Sequence, residues 1–162
     1  MGNNPAFAVA FNHVGIGVAD LEAAIAWYCG VLGMRLISGP VEVSNDRQAE
    51  DVLGSRFGKM RQAHLSSING IGIEFFQSID PPFERRDDAV EFWKSGVFHI
   101  CVTHPNVEDL AGRIVASGGS RLSAIWNERN GDPSYRMCYC RDPFGTVIEI
   151  YSHSYELLQG HR

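Results

Sequence analysis

The stretch Asp142-Pro143-Phe144-Gly145-Thr146-Val147-Ile148-Glu149-Ile150-Tyr151 decides how the chain is read. Its first four residues predict a turn, because Asp and Pro favour turn initiation and Gly tolerates the conformation that ends one. The remainder predicts a strand. With a period of two, Val147, Glu149 and Tyr151 take one side, and Ile148 and Ile150 the other. A carboxylate in such a run costs on the order of several kcal/mol of desolvation, so it needs a partner. The same problem occurs earlier, where Glu74 sits in Ile73-Glu74-Phe75-Phe76.

Each glutamate has a matching histidine upstream. His13 follows Phe11-Asn12 and His99 follows Val97-Phe98, and each opens an apolar run. Two imidazoles and two carboxylates form a donor set suited to a divalent metal.

Working outward, the two halves show one design. Phe11 to Val18 predicts a strand. Asp20 is the helix cap, Leu21, Ile25, Tyr28 and Leu32 form the helical stripe, and Gly30 and Gly33 end it. In the second half, Val97 to Thr103 is the strand, Asn106 the cap, Val107, Leu110 and Ile114 the stripe, and Gly118-Gly119 the stop. Three strands follow each helix. They are Met34 to Ser38, Gln62 to Ser67 and Ile71 to Gln77 in the first half, with an Asn69-Gly70 hairpin. In the second they are Arg121 to Trp126, Tyr135 to Arg141 and Thr146 to Ser152.

The reading is an α+β fold of two βαβββ modules, helix-backed outside and polar at a concave centre. Module one spans residues 8–78, a linker 79–96, module two 97–152 and a tail 153–162. Pro40 to Gly58 reads as an inserted loop or lid. Asp80-Pro81-Pro82 breaks the chain, and Asp88 to Lys94 reads as a short helix.

Bulk properties narrow the function. With 162 residues, 44% hydrophobic and 20% charged, the chain fits a globular protein with a real core. A net charge of −5 gives no footprint for nucleic acid or an anionic membrane. Neither a signal-peptide pattern nor a membrane-length apolar run is present, so a cytoplasmic location is expected. Cys29, Cys101, Cys138 and Cys140 then read as reduced thiols, small core residues. His64, His104, His153 and His161 have no matching partner and read as surface or structural. Trp27, Trp93 and Trp126 read as core or rim packing. Arg47, Arg56, Lys59 and Arg61 belong to a solvated loop, with an anionic substrate as the alternative. His153 and Tyr155 follow the last strand, near a pocket mouth.

The segments Asn12-His13-Val14, Ile73-Glu74, Gly96-Val97-Phe98-His99-Ile100 and Asp142 to Glu149 resemble the vicinal oxygen chelate superfamily. It includes glyoxalase I, methylmalonyl-CoA epimerase, extradiol ring-cleaving dioxygenases, and fosfomycin- and bleomycin-resistance proteins. The resemblance covers Phe11 to about Tyr151. It implies an incomplete eight-stranded barrel around a divalent metal (Ni, Co, Zn, Mn or Fe) bound by His13, Glu74, His99 and Glu149. It also implies a lyase, isomerase or epimerase acting on a small oxygenated substrate. There the metal stabilises a developing oxyanion, Glu149 is the first candidate base and Glu74 the second. A homodimer is common in the family. The four-ligand set is similar to glyoxalase I and the epimerase. An iron-dependent extradiol dioxygenase is an alternative, weakened because Asn130, Gly131 and Asp132 stand where its assisting histidine belongs. The other alternative, a non-catalytic resistance protein, usually lacks the ligand set.

Overall fold

The computed structural model describes residues 8–44, 47–86, 91–129 and 132–160. The chain divides into two compact units, Met1–Phe83 and Glu84–Arg162.

The first unit runs β1 (His13–Gly17), α1 (Leu21–Leu32), β2 (Arg35–Ser44), α2 (Arg47–Leu53), β3 (Lys59–Ser66) and β4 (Gly72–Asp80). Its sheet has the order β1-β4-β3-β2, with β1 parallel to β4 and the other pairs antiparallel. Helix α1 starts where the Asp20 side chain accepts the Ala23 N–H at 3.0 Å. It ends at Gly33, whose φ of 71° suits a residue without Cβ. Its inward stripe buries Leu21, Ala24, Trp27, Tyr28 and Val31. The Tyr28 ring meets Phe75 of β4 edge-on at 4.8 Å. An exposed ion pair, Glu22–Arg61, joins the helix to β3.

The second unit repeats this plan with β5 (Ile100–Thr103), α3 (Val107–Ala116), β6 (Ser120–Arg121), β7 (Trp126–Arg129), β8 (Asp132–Arg141), β9 (Val147–Tyr151) and α4 (Tyr155–Gln159). The order is β5-β9-β8-β6, with β7 also on β8 and β5 parallel to β9. Asn106 caps α3 by accepting the Asp109 N–H at 2.9 Å. The helix buries Val107, Leu110, Ala111 and Ile114. Glu108–Arg136 joins it to β8, as Glu22–Arg61 joins α1 to β3. The turn Asp142-Pro143-Phe144-Gly145 is held by one atom. Asp142 Oδ1 accepts the N–H groups of Phe144, Gly145 and Thr146 at 2.9, 2.7 and 2.7 Å.

Each unit is therefore βαβββ, an α+β fold, with its first strand parallel to its last. Four details depart from the sequence reading. The two sheets have four and five strands, not eight in all, because Arg121 to Trp126 is broken into β6 and β7. The Leu122 and Ser123 N–H groups both donate to Tyr139 O, at 2.8 and 3.3 Å, and Ser123 Oγ accepts the Tyr139 N–H. A regular ladder cannot continue through such a bulge. Second, Pro40 to Gly58 is not one long loop. Val41, Glu42 and Val43 pair with Gln62, Arg61 and Met60, so β2 continues to Ser44, and α2 follows. Gly39 makes this possible. Its φ is 88°, and a Cβ there would fall 2.5 Å from Gln62 O. Third, the second half's strand begins at Ile100 rather than Val97. Fourth, the expected helix over Asp88 to Lys94 lies partly outside the described residues, and Glu91 to Lys94 forms a turn closed by Lys94 N–H on Glu91 O at 2.9 Å. Among the described residues, no helix is long and apolar enough to cross a membrane.

Candidate metal centre

In the first unit, two registers converge on Glu74. The β1–β4 pairing sets Gly15, two residues past His13, opposite Glu74. The β3–β4 pairing sets His64 on its other side. His13 Nε2 lies 3.7 Å from Glu74 Oε2, and His64 Nε2 lies 2.9 Å from Oε1. The Gln62 amide also donates to Oε1. Asn12 Oδ1 accepts from His13 Nδ1 at 2.8 Å. His64 Nδ1 is buried without a hydrogen-bond partner.

The second unit repeats the registers on Glu149. Cys101, two residues past His99, pairs with it from β5, and Tyr139 pairs with it from β8. His99 Nε2 lies 3.1 Å from Glu149 Oε2. His99 Nδ1 is buried and unpartnered. The ring meets Phe98 and Tyr139 nearly edge-on, at 5.1 and 5.5 Å. Glu149 is only 4% exposed. Burial, helped by this carboxylate, pushes the Tyr139 phenol well above its usual range. Burial and the Glu149 charge push Tyr151 up to about 12. Both phenols remain protonated near neutral pH.

His64 and Tyr139 occupy the same place in their units, and the sequence reading assigned a site role to neither. Turn counting does not find them. A two-residue Asn69-Gly70 loop would set His64 opposite Phe75, and a four-residue Asp142–Gly145 loop would set Tyr139 opposite Ile148, whereas the observed registers set them opposite Glu74 and Glu149.

The repeated registers meet a sequence-level test. The family model of the Glyoxalase/Bleomycin resistance protein/Dioxygenase superfamily matches residues 10–150. The chain belongs to this superfamily. Its structure is similar to a glyoxalase family protein from Bacillus cereus, with TM-score 0.75, 22% identity, and coverage of 93% of this chain and 97% of that one. It is also similar to glyoxalase I from Zea mays (TM-score 0.61, 18% identity, 89% of this chain and 44% of that one). A third similar structure is the fosfomycin resistance protein FosX from Mesorhizobium loti (TM-score 0.58, 16% identity, 93% and 97%). Among curated proteins, none matches the chain in sequence.

The donor chemistry of this superfamily chain suits a divalent cation. Nitrogen and carboxylate oxygen are borderline-to-hard donors that Zn, Ni, Co, Mn and Fe all accept. In the first unit the imidazole presents Nε2 to a carboxylate across a gap too long for a hydrogen bond. Within neither unit do three or more described His, Cys, Asp or Glu side chains form a group set to hold a metal.

Lys59 and Arg61 lie on β3 in ion pairs with Glu42 and Glu22, not in a loop. Arg56 is exposed, and the Arg47 side chain lies outside the described residues. Trp27 is buried, whereas Trp93 and Trp126 are exposed. His153 stacks on Tyr135 at 4.2 Å, and Tyr155 is exposed. All four cysteines are free thiols, but only Cys138 and Cys140 are core residues. Asn130, Gly131 and His161 lie outside the described residues.

Proposed function

We propose that the protein is a divalent-metal-dependent lyase, isomerase or epimerase of the glyoxalase type, acting on a small oxygenated substrate. The supporting observation is the repeated pair, His13 Nε2 facing Glu74 and His99 Nε2 facing Glu149 at equivalent registers. These four residues would hold the metal, since two donors are too few for a tight site and four are typical. When bound, the metal supplies Lewis acidity to adjacent substrate oxygens.

The chain's own residues supply the proton chemistry. Glu149 is the base that removes a proton next to a carbonyl. It is buried, with His99 Nε2 3.1 Å from its Oε2 and Tyr139 opposite it on β8. Glu74 is the second carboxylate, held by His64 and Gln62.

The test is metal analysis of purified protein, followed by assays on α-hydroxy ketones, acyl-CoA thioesters and catechols. The reading expects nickel, cobalt, zinc or manganese, and exchange of solvent deuterium at an α-carbon. Tightly held iron with oxygen uptake on catechols would sink it. His99→Ala and Glu149→Ala should each lose metal with the fold intact, and full metal content in either variant removes that residue from the ligand set.

A further inference from the structure

We propose that Asn12 is a positioning residue that fixes the tautomer of His13, so that Nε2 is the atom offered to a divalent cation. The role in metal binding rests on the proposed reading of His13 as a ligand. The hydrogen bond does not.

Asn12 Oδ1 can only accept, and it lies 2.8 Å from His13 Nδ1. Nδ1 must therefore carry the hydrogen. A neutral imidazole has one N–H, so Nε2 is left with its lone pair. That lone pair faces Glu74 Oε2 at 3.7 Å, beyond hydrogen-bonding distance, and the protein leaves it unused. His13 is half exposed, so water could have satisfied Nδ1. The bond to Asn12 is thus not needed to offset burial, and its effect is to orient the ring and choose the tautomer. Metal-bound histidines commonly donate their second N–H in this way.

The equivalent place in the second unit is different. Phe98 precedes His99 and has no side-chain acceptor, and His99 Nδ1 is buried without a partner. Its Nε2 is 3.1 Å from Glu149, close enough to donate. A cation would therefore have to displace a proton at His99, whereas His13 is already set to ligate.

The test uses the full chain, metal-free and labelled with 15N-histidine. Long-range 1H–15N correlations are recorded at about pH 8.5, well above an ordinary imidazole's titration. A His13→Gln variant identifies the signal. Wild type should show Nδ1 protonated. Asn12→Leu should move the proton to Nε2, and Asn12→Asp, which still accepts, should retain it on Nδ1. Zinc affinity, read by competition with a chromogenic chelator, should fall about tenfold to a hundredfold in Asn12→Leu and stay near wild type in Asn12→Asp. The proposal is overturned if wild type carries the proton on Nε2 or Asn12→Leu leaves the tautomer unchanged. It is equally overturned if the tautomer shifts while zinc affinity does not. Failure of wild type to take up zinc, nickel, cobalt, manganese or iron would instead defeat the metal-enzyme reading, and the tautomer data would stand apart from it.

Discussion

The two units solve one problem with different surroundings. Both place a glutamate on the last strand, a histidine at the entry of the first, and a third residue opposite on the neighbouring strand. In the first unit the surroundings are polar and open, with Asn12, Gln62 and His64 around a half-exposed His13. In the second they are enclosed, with Phe98, Tyr139 and Tyr151 around a buried Glu149. Strand register fixes where each carboxylate stands. Under the proposed function, the open unit anchors the cation and the enclosed one transfers the proton.

Isosteric substitution is the strongest attack on that division. Gln keeps an oxygen donor and cannot act as a base. Glu149→Gln is expected to lower kcat by about 10²–10⁴-fold with little metal loss, a range typical of a removed general base. Glu74→Gln should stay within about tenfold, because it removes no base that turnover depends on. Steady-state kinetics on whichever substrate the panel identifies reads both. Equal losses would end the division of roles.

How far this was legible in the sequence follows from the same contrast. The caps Asp20 and Asn106 and the α3 stripe are local signals and form where expected. The α1 face, by contrast, is built by Leu21, Ala24, Trp27, Tyr28 and Val31 rather than Ile25 and Leu32, and the Asn69-Gly70 hairpin loop is one residue longer than expected. The βαβββ plan followed from them, because short-range hydrogen bonds fix each piece. His64 and Tyr139 were missed because their role depends on cross-strand register, which the length of each hairpin loop decides and the turn residues alone do not. The bulge at Ser123 and the extension of β2 past Gly39 were also hidden. Each depends on a side chain or a missing Cβ meeting a distant backbone atom. Asn12 looked like an ordinary neighbour until its distance to His13 was known.

Stability should separate the turns that set the two registers. Asp142→Ala removes the acceptor for three backbone N–H groups and should cost about 2–3 kcal/mol. Gly70→Ala meets nothing within 4 Å and strains only a φ of 83°, for about 1 kcal/mol. Urea unfolding midpoints decide the order, and a larger cost at Gly70 would contradict this account of the second hairpin.

The supports around the carboxylates should differ more gently. Without His64, Glu74 Oε1 keeps only the Gln62 amide, so His64→Leu should weaken metal binding by about tenfold. Tyr139→Phe leaves Glu149 with His99, and the loss should be about threefold or less. Chelator competition measures both. A greater loss at Tyr139 would mean that the enclosed unit, not the open one, depends on its third residue for binding.

The smallest effect lies in the ion pairs that repeat with the fold, Glu22–Arg61 and Glu108–Arg136. Each ties a helix to the strand bearing the third site residue. Its hydrogen bond to Arg61 holds the Glu22 carboxyl below its ordinary 4.5. A carboxyl with a folded-state pKa below its unfolded one contributes stability above the unfolded value, and that stability disappears as pH falls through the folded value. Wild type should therefore melt slightly higher than Glu22→Gln at pH 7, and the gap should close as pH drops below about 4. Because the pair is exposed, added salt should shrink the gap too. A gap that persists unchanged into acid would show that Glu22 acts through packing, and the tie between α1 and β3 would then not be electrostatic.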